Sequence, residues 1–106
     1  LGEFYIRSNK SSEISGEITF VAINVGAIPH ELLVIKTNTP SNSLPLKGAE
    51  MDEGYAGEIM ARINPEELGA GEYSQISTTL ESGAYVLVCN IPGHYSAGMY
   101  ANLIIN

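Results

Sequence analysis

The strongest constraint on the fold is a repeated alternation of apolar and polar residues with a period of two. Residues 17–25 are rich in β-branched and aromatic side chains and end at a glycine, and residues 73–80 alternate in the same way. Residues 84–89 are almost wholly apolar, which is typical of a strand at the centre of a sheet. Further strands are predicted over residues 4–6, 32–37 and 99–105. This pattern predicts an all-β, antiparallel two-sheet sandwich.

Residues 39–72 form a long connection of different composition, with three prolines and most of the acidic residues. Residues 59–63 are compatible with a short helix or a strand. Residues 65–68 resemble one helical turn that begins with proline. A connection of this length usually carries structure or function of its own, so we expect a long loop that contains a short helix.

Size and charge limit the possible functions. The chain has 106 residues, enough for one hydrophobic core, so we expect a single domain over residues 1–106. Twelve acidic residues against five basic ones give a net charge of −7, which argues against a nucleic-acid partner. No apolar run reaches the roughly 20 residues of a membrane span. A single cysteine cannot form an internal disulfide, so stability must come from packing or from a bound metal.

The residues that carry chemistry lie near the C-terminus. Cys89, His94 and Met99 follow one another with four residues between successive members. Cys89 ends one predicted strand and Met99 starts the next, so the glycine-containing loop between them brings a thiolate, an imidazole and a thioether together. The other histidine of the chain, His30, follows Pro29 at the beginning of another predicted strand.

Two histidines, one cysteine and one methionine make up the donor set of a blue-copper electron-transfer site. A structural zinc site would use cysteine and histidine throughout and has little use for a thioether. Taken singly, a buried cysteine is usually a small hydrophobic residue and a methionine usually fills the core. Because all four donors fall at strand ends, the sequence predicts a copper site formed by His30, Cys89, His94 and Met99.

The sequence resembles the cupredoxins, the type 1 blue copper family of plastocyanin, azurin and rusticyanin. The resemblance rests on the Pro-His-Glu sequence at residues 29–31 and on the loop of residues 89–99, whose spacing is more like that of rusticyanin than of plastocyanin. It implies a Greek-key β-sandwich that holds one copper ion. It also implies that His30, Cys89 and His94 are the equatorial ligands of the copper and that Met99 is the axial ligand.

One position departs from the family pattern. Plastocyanins and azurins usually have an asparagine after the first histidine ligand, and its side chain ties the two ligand loops together. Here Glu31 occupies that position, which leaves the rigidity of the loops and the reduction potential open. Pro29 replaces the glycine of azurin, whose carbonyl approaches the copper, and this favours four-coordination.

The resemblance implies a one-electron carrier and not an enzyme, with His94 as the electron port. We expect a monomer that docks a cytochrome, an oxidase or a reductase near His94, through a patch of apolar residues. That patch comprises Ile28, Pro29, Ile91, Pro92, Tyr95, Ala97 and Met99. The chain begins at Leu1 without an initiator methionine or a leader, so we expect a trimmed or excised protein from a periplasmic or other extracytoplasmic location, free or anchored through a segment outside this chain.

Two other functions remain open. The same ligands could serve copper trafficking or storage without redox turnover, although chaperones usually use flexible sites. Cys89 and His94 could also form the thiolate–imidazole pair of an enzyme, but no third orienting residue stands out.

An acidic surface could either steer a basic redox partner or simply be solvated. Its residues are Glu50, Asp52, Glu53, Glu58, Glu66, Glu67 and Glu72.

Overall fold

Strands are the predominant regular elements in a computed structural model that describes residues 1–10 and 12–106. The strands are β1 (Ser12–Glu13), β2 (Gly16–Ile23), β3 (Leu32–Lys36), β4 (Leu46–Lys47), β5 (Glu50–Met51), β6 (Glu58–Ile63), β7 (Tyr73–Leu80), β8 (Gly83–Val88) and β9 (Tyr100–Ile105). One short α-helix, α1 (Glu53–Ala56), and two 3₁₀ turns, Ser41–Ser43 and Pro65–Glu67, complete the described elements. None of the helices among these residues is long and apolar enough to cross a membrane.

A five-stranded sheet with the order β1-β9-β8-β3-β6 forms the centre of the molecule. Its strands pair antiparallel, except that the two-residue strand β1 runs parallel to β9. Strands β2 and β7 pair along eight residues to form a second layer, and β4 and β5 form a small hairpin. The prediction of an all-β sandwich is therefore confirmed, with one parallel pair at its edge.

Both faces of the five-stranded sheet are covered. Alternate side chains of β3 and β8 point into two different cores, one beneath β2 and β7 and the other beneath residues 41–56. The first core receives Leu32, Val34, Tyr85 and Leu87, and the second receives Leu33, Ile35, Val86 and Val88. Burial on both faces explains why β8 is almost wholly apolar in sequence, and it confirms the central position expected for this strand.

The long connection has structure of its own, as expected. Residues 59–63 are part of a strand, β6, because they pair with the open edge of β3. The turn Pro65–Glu67 begins with a capping box in which Asn64 and Glu67 satisfy each other's backbone N–H groups.

The strand predicted over residues 4–6 is wrong. These residues form a tight turn in which Gly2 and Tyr5 bond to each other, and β1 is the first strand instead. The β-prone side chain of Phe4 packs against His94, so a tertiary contact prevails over the local strand propensity.

The sheet brings three strand ends to one edge. Strand β8 ends at Val88, directly before Cys89, and β9 begins directly after Met99. Strand β3 starts two residues after His30 and runs antiparallel to β8. The start of β3, the end of β8 and the start of β9 therefore lie side by side.

Candidate metal centre

Three nitrogen and sulfur atoms meet at this edge of the sheet. His30 Nδ1 lies 3.3 Å from His94 Nδ1, and Cys89 Sγ lies 3.5 Å from His94 Nδ1 and 3.9 Å from His30 Nδ1. The point equidistant from the three atoms is about 2.1 Å from each, close to the roughly 2.0–2.3 Å of zinc–histidine and zinc–cysteine bonds. All three residues are buried, so the folded chain holds them at the spacing that a metal ion requires.

Met99 completes the loop. Its side chain is fully buried, its N–H donates to the carbonyl of His94 at 3.2 Å, and its carbonyl accepts the N–H of Cys89 at 3.1 Å. The loop turns at Gly93 (φ 84°) and Gly98 (φ 118°), where the left-handed backbone favours glycine. These bonds place the backbone of Met99 beside both loop ligands, as the spacing of the sequence predicts.

A buried asparagine shapes the segment that carries His30. Asn24 donates from Nδ2 to the carbonyls of Ile28 (2.8 Å) and Leu68 (3.0 Å), and its Oδ1 accepts the N–H of Gly26. The N–H of His30 donates to the same Leu68 carbonyl at 3.2 Å. Sequence reasoning missed Asn24, although an asparagine followed two residues later by glycine at a strand end is a turn signal.

Two residues of the N-terminal turn also reach the histidines. Glu3 Oε1 lies 3.2 Å from His30 Nε2, and the ring of Phe4 packs edge-on against His94 with centroids 5.1 Å apart. No local sequence pattern could have indicated either contact, because 27 and 90 residues separate the partners.

Glu31 supplies the tie between ligand loops that was left open. Its side chain accepts the N–H of Asn90, the residue after Cys89, at 3.0 Å. Its backbone N–H donates to Cys89 Sγ at 3.4 Å. The carboxylate therefore links the two ligand segments in the place of the usual asparagine.

An ion-pair network surrounds this tie. Arg62 Nη1 lies 3.7 Å from Glu31 Oε2, and the same guanidinium bonds to Glu53. Desolvation raises the pKa of Glu31 above its ordinary value, although Asn90 and Arg62 oppose the rise. Desolvation also acts on Glu53, but its bonds to Asn90 and Arg62 bring its pKa below the ordinary value.

Asn90 joins the candidate metal centre to the long segment of residues 39–72. Its Oδ1 accepts the N–H of Met51 at 2.8 Å, and its Nδ2 donates to the Met51 carbonyl and to Glu53. Met51, which could have approached the metal, packs instead in the core beneath residues 41–56. Tyr95 has a similar anchoring role, since its hydroxyl donates to the Ser41 carbonyl at 2.6 Å.

Burial changes the acid–base properties of the donors. Desolvation raises the pKa of the Cys89 thiol, partly opposed by the N–H groups of Glu31 and Ile91. Desolvation and the nearby His30 lower the pKa of His94, which favours its neutral form. A neutral imidazole is the form that binds a metal, whereas the thiol must lose its proton to become a ligand.

The donor types agree with copper. Thiolate and thioether are soft ligands that suit Cu(I), and imidazole suits copper in general. Among the described residues every buried side-chain nitrogen and oxygen has a hydrogen-bond partner. The buried polar side chains around the cluster are therefore all hydrogen-bonded.

The seven residues of the predicted apolar patch differ in exposure. Tyr95 and Met99 are buried and Ile91 is half-buried. The exposed members are Ile28, Pro29, Pro92 and Ala97. Several acids have local partners: Asp52 accepts from Gly54, Glu72 accepts from Gly69, and Glu53 and Glu67 have the contacts given above. The steering of a partner by this acidic stretch stays a prediction.

A protein-family model described as the sulfocyanin (SoxE) domain matches residues 5–106. No sequence among curated proteins matches the chain.

Several solved structures share the fold. Dithionite-reduced auracyanin from the photosynthetic bacterium Roseiflexus castenholzii has a TM-score of 0.65 and 20% identity, over 92% of this chain and 86% of that one. A rusticyanin described as a copper protein has a TM-score of 0.66 and 17% identity, over 90% and 60%. Rusticyanin from Thiobacillus ferrooxidans has a TM-score of 0.58 and 20% identity, over 85% and 54%. The chain thus spans only a little over half the length of rusticyanin, and the predicted cupredoxin fold is confirmed.

Proposed function

Because the chain belongs to the sulfocyanin (SoxE) domain family, we propose that it is a blue copper protein that carries single electrons between redox partners. One copper ion would be held by four side chains, among which the thioether of Met99 would be the weakest donor. The other three ligands are His30, Cys89 and His94.

The observation that supports this proposal most strongly is the triangle of two imidazole nitrogens and one cysteine sulfur, with sides of 3.3, 3.5 and 3.9 Å. When bound, the copper supplies a one-electron couple between Cu(I) and Cu(II). The similarity to a rusticyanin described as a copper protein points the same way.

The protein's own contribution is to keep this triangle fixed and dry. Cys89 and His30 are fully buried, and His94 keeps only 7% of its surface. The Glu31–Asn90 bond joins the two ligand segments, so neither segment moves independently of the other. A site whose ligands are held in one arrangement reorganises little when the charge of the ion changes, which is the requirement for rapid electron transfer.

Electrons enter and leave on the His94 side. His94 is the loop ligand nearest the surface, and exposed apolar residues surround it. The ring of Phe4 packs against the His94 ring in a T-shaped arrangement and is itself 44% exposed. A redox protein that docks on this face, in an extracytoplasmic compartment, would come within a short distance of the ion.

Copper storage and enzymatic catalysis are less well supported. A storage or trafficking protein must release its metal by ligand exchange, which burial of the donors impedes. A thiolate nucleophile would need an accessible sulfur and a raised thiolate population, yet Cys89 is fully buried and its pKa is raised.

The test is a titration of the metal-free protein with Cu(II), followed by visible absorption. One equivalent should produce an intense thiolate-to-copper band, and reduction and reoxidation should remove and restore it over repeated cycles. A colourless complex would contradict the type 1 site. A band that forms but does not cycle would favour storage.

Ligand variants assign the roles. Cys89→Ser should abolish the intense band, because the thiolate is its source. Met99→Leu should keep the band and raise the reduction potential, because a weak thioether donor is lost. Met51→Leu, a buried methionine outside the ligand set, is the matched control and should leave both unchanged. Loss of the band in Met99→Leu would contradict the assignment of Met99 as the weakest donor.

A further inference from the structure

We propose that Glu3 is a positioning residue for the metal centre, which holds the ring of His30 through its outer nitrogen and lowers the reduction potential. The inference rests on the proposed copper site and concerns a residue outside its ligand set. Its basis is the contact of 3.2 Å between Glu3 Oε1 and His30 Nε2.

The two nitrogens of the His30 ring have different surroundings. Nδ1 faces Cys89 Sγ and His94 Nδ1 within the triangle of donors, whereas Nε2 faces the Glu3 carboxylate. A carboxylate only accepts hydrogen bonds, so the Nε2 position must carry the proton. This tautomer leaves the lone pair of Nδ1 pointing at the metal position, as an outer carboxylate commonly arranges for a histidine ligand.

The carboxylate of Glu3 is itself held in place. Its Oε1 accepts the backbone N–H groups of Ala27 (2.8 Å) and Ile28 (3.1 Å), which belong to the loop that leads into His30. A single oxygen therefore fixes both the loop and the ring that the loop carries.

A negative charge at Nε2 has a direct electrical consequence. It makes the imidazole a stronger donor and stabilises the higher charge of Cu(II) relative to Cu(I). The side chain is 30% exposed while the His30 side chain is fully buried, so solvent screens the interaction only in part. Loss of this charge should therefore weaken Cu(II) binding more than Cu(I) binding.

The principal experiment is the reduction potential of the copper-loaded Glu3→Gln variant, measured by voltammetry. Glutamine keeps an oxygen that accepts the same bonds but removes the charge. The potential should rise by about 59 mV for each tenfold loss of Cu(II) affinity relative to Cu(I). Removal of an outer partner of a metal ligand typically costs about 10–100-fold in metal affinity or activity.

Glu17→Gln is the matched control. Glu17 is an exposed residue of β2, and six residues of strand, about 20 Å, separate it from the end of β2 near the site. Glu17→Gln removes the same charge as Glu3→Gln, but at a distance from the site that exceeds the screening length of about 8–10 Å. It should therefore leave the reduction potential unchanged.

A second measurement follows the proton on His30 Nε2 by NMR in the diamagnetic reduced protein. In the native chain and in Glu3→Gln this proton should exchange slowly, and in Glu3→Ala, which has no acceptor, it should exchange at least tenfold faster. Glu3→Ala should also raise the potential at least as much as Glu3→Gln.

The outcomes separate the two proposals. An intense visible band in the native protein, together with unchanged potentials in both Glu3 variants, would overturn the role of Glu3 and leave the copper site standing. A rise in Glu17→Gln equal to that in Glu3→Gln would also overturn it, because overall charge would then be the cause. Absence of the band from the native protein would instead overturn the proposed function itself.

Discussion

The two histidines of the metal centre are held in opposite ways. His30 lies before a central strand, is fully buried, and has a carboxylate on its outer nitrogen. His94 lies in the loop between β8 and β9, keeps 7% of its surface, and has the ring of Phe4 against its edge. One imidazole is thus fixed by a charged hydrogen bond and the other by an aromatic contact.

The difference assigns distinct tasks to the two sides of the site. On the His30 side the ligand is fully buried, and the partly exposed carboxylate of Glu3 tunes the ion through its charge. The His94 side is separated from solvent by one partly exposed ring, which is the arrangement expected where electrons cross the surface. Predictions that change one side and spare the other test this division.

The largest expected effect comes from replacing each histidine by glycine. His94→Gly and His30→Gly should each lose nearly all of the intense visible band, because an equatorial ligand is absent. Added imidazole should restore most of the band in His94→Gly, where the vacated position lies near the surface. It should restore little in His30→Gly, where the position is buried. Equal recovery in both variants, measured by absorption, would contradict the difference in access.

The second largest effect concerns the ion pair between Arg62 and Glu31, the residue whose side chain joins the two ligand segments. Arg62→Met leaves the buried Glu31 carboxylate without its cation. Breaking a fully buried pair costs about 3–5 kcal/mol, but the Arg62 side chain is 35% exposed, so we expect a loss of about 1–2 kcal/mol in the free energy of unfolding. Urea denaturation in one fixed metal state measures it.

Lys36→Met provides the comparison for that variant. Lys36 pairs with Glu81 at 3.4 Å, and both side chains are exposed, so its loss should change the stability by less than about 0.5 kcal/mol. If Arg62→Met and Lys36→Met were equally stable, the ion pairs around Glu31 would contribute no more to the stability than an exposed ion pair does.

Phe4→Ala should reduce stability less than Arg62→Met does. An aromatic pair contributes about 0.5–1.5 kcal/mol beyond burial, and the exposure of Phe4 places the expected loss at the lower end. The rate at which a chelator removes copper should nevertheless increase, because the cover of His94 is lost. Tyr55→Ala removes a ring that is 83% exposed and should change neither quantity. Unchanged chelator access in Phe4→Ala would mean that the ring does not shield His94.

The sequence predicts the parts of the site that follow strand ends. The spacing of Cys89, His94 and Met99 predicts that these residues lie close together, because the loop between two neighbouring strands must fold back on itself. The continuous apolar run of β8 is readable because burial on both faces removes the alternation. In both cases neighbouring residues along the chain carry the information.

The remainder depends on contacts between distant residues. Residues 4–6 are predicted to form a strand, because their aromatic and β-branched side chains favour one, but residues 2–5 form a turn. Its conformation is instead determined by contacts with His30 and His94, which lie 27 and 90 residues away. Glu31 was an open question for the same reason, since its partner Asn90 is 59 residues distant.

Burial of β3 and β8 on both faces has a consequence for the dynamics of the site. Amide hydrogens in such strands exchange with solvent only when the whole domain unfolds, whereas those of a terminal turn exchange through local opening. His30 and Cys89 adjoin these strands, whereas Glu3 and Phe4 lie in the N-terminal turn, which is held by the bonds of Glu3 to Ala27, Ile28 and His30. We therefore expect the amides next to His30 and Cys89 to exchange more slowly than those of the N-terminal turn, so the ligand positions should persist through openings that release Glu3.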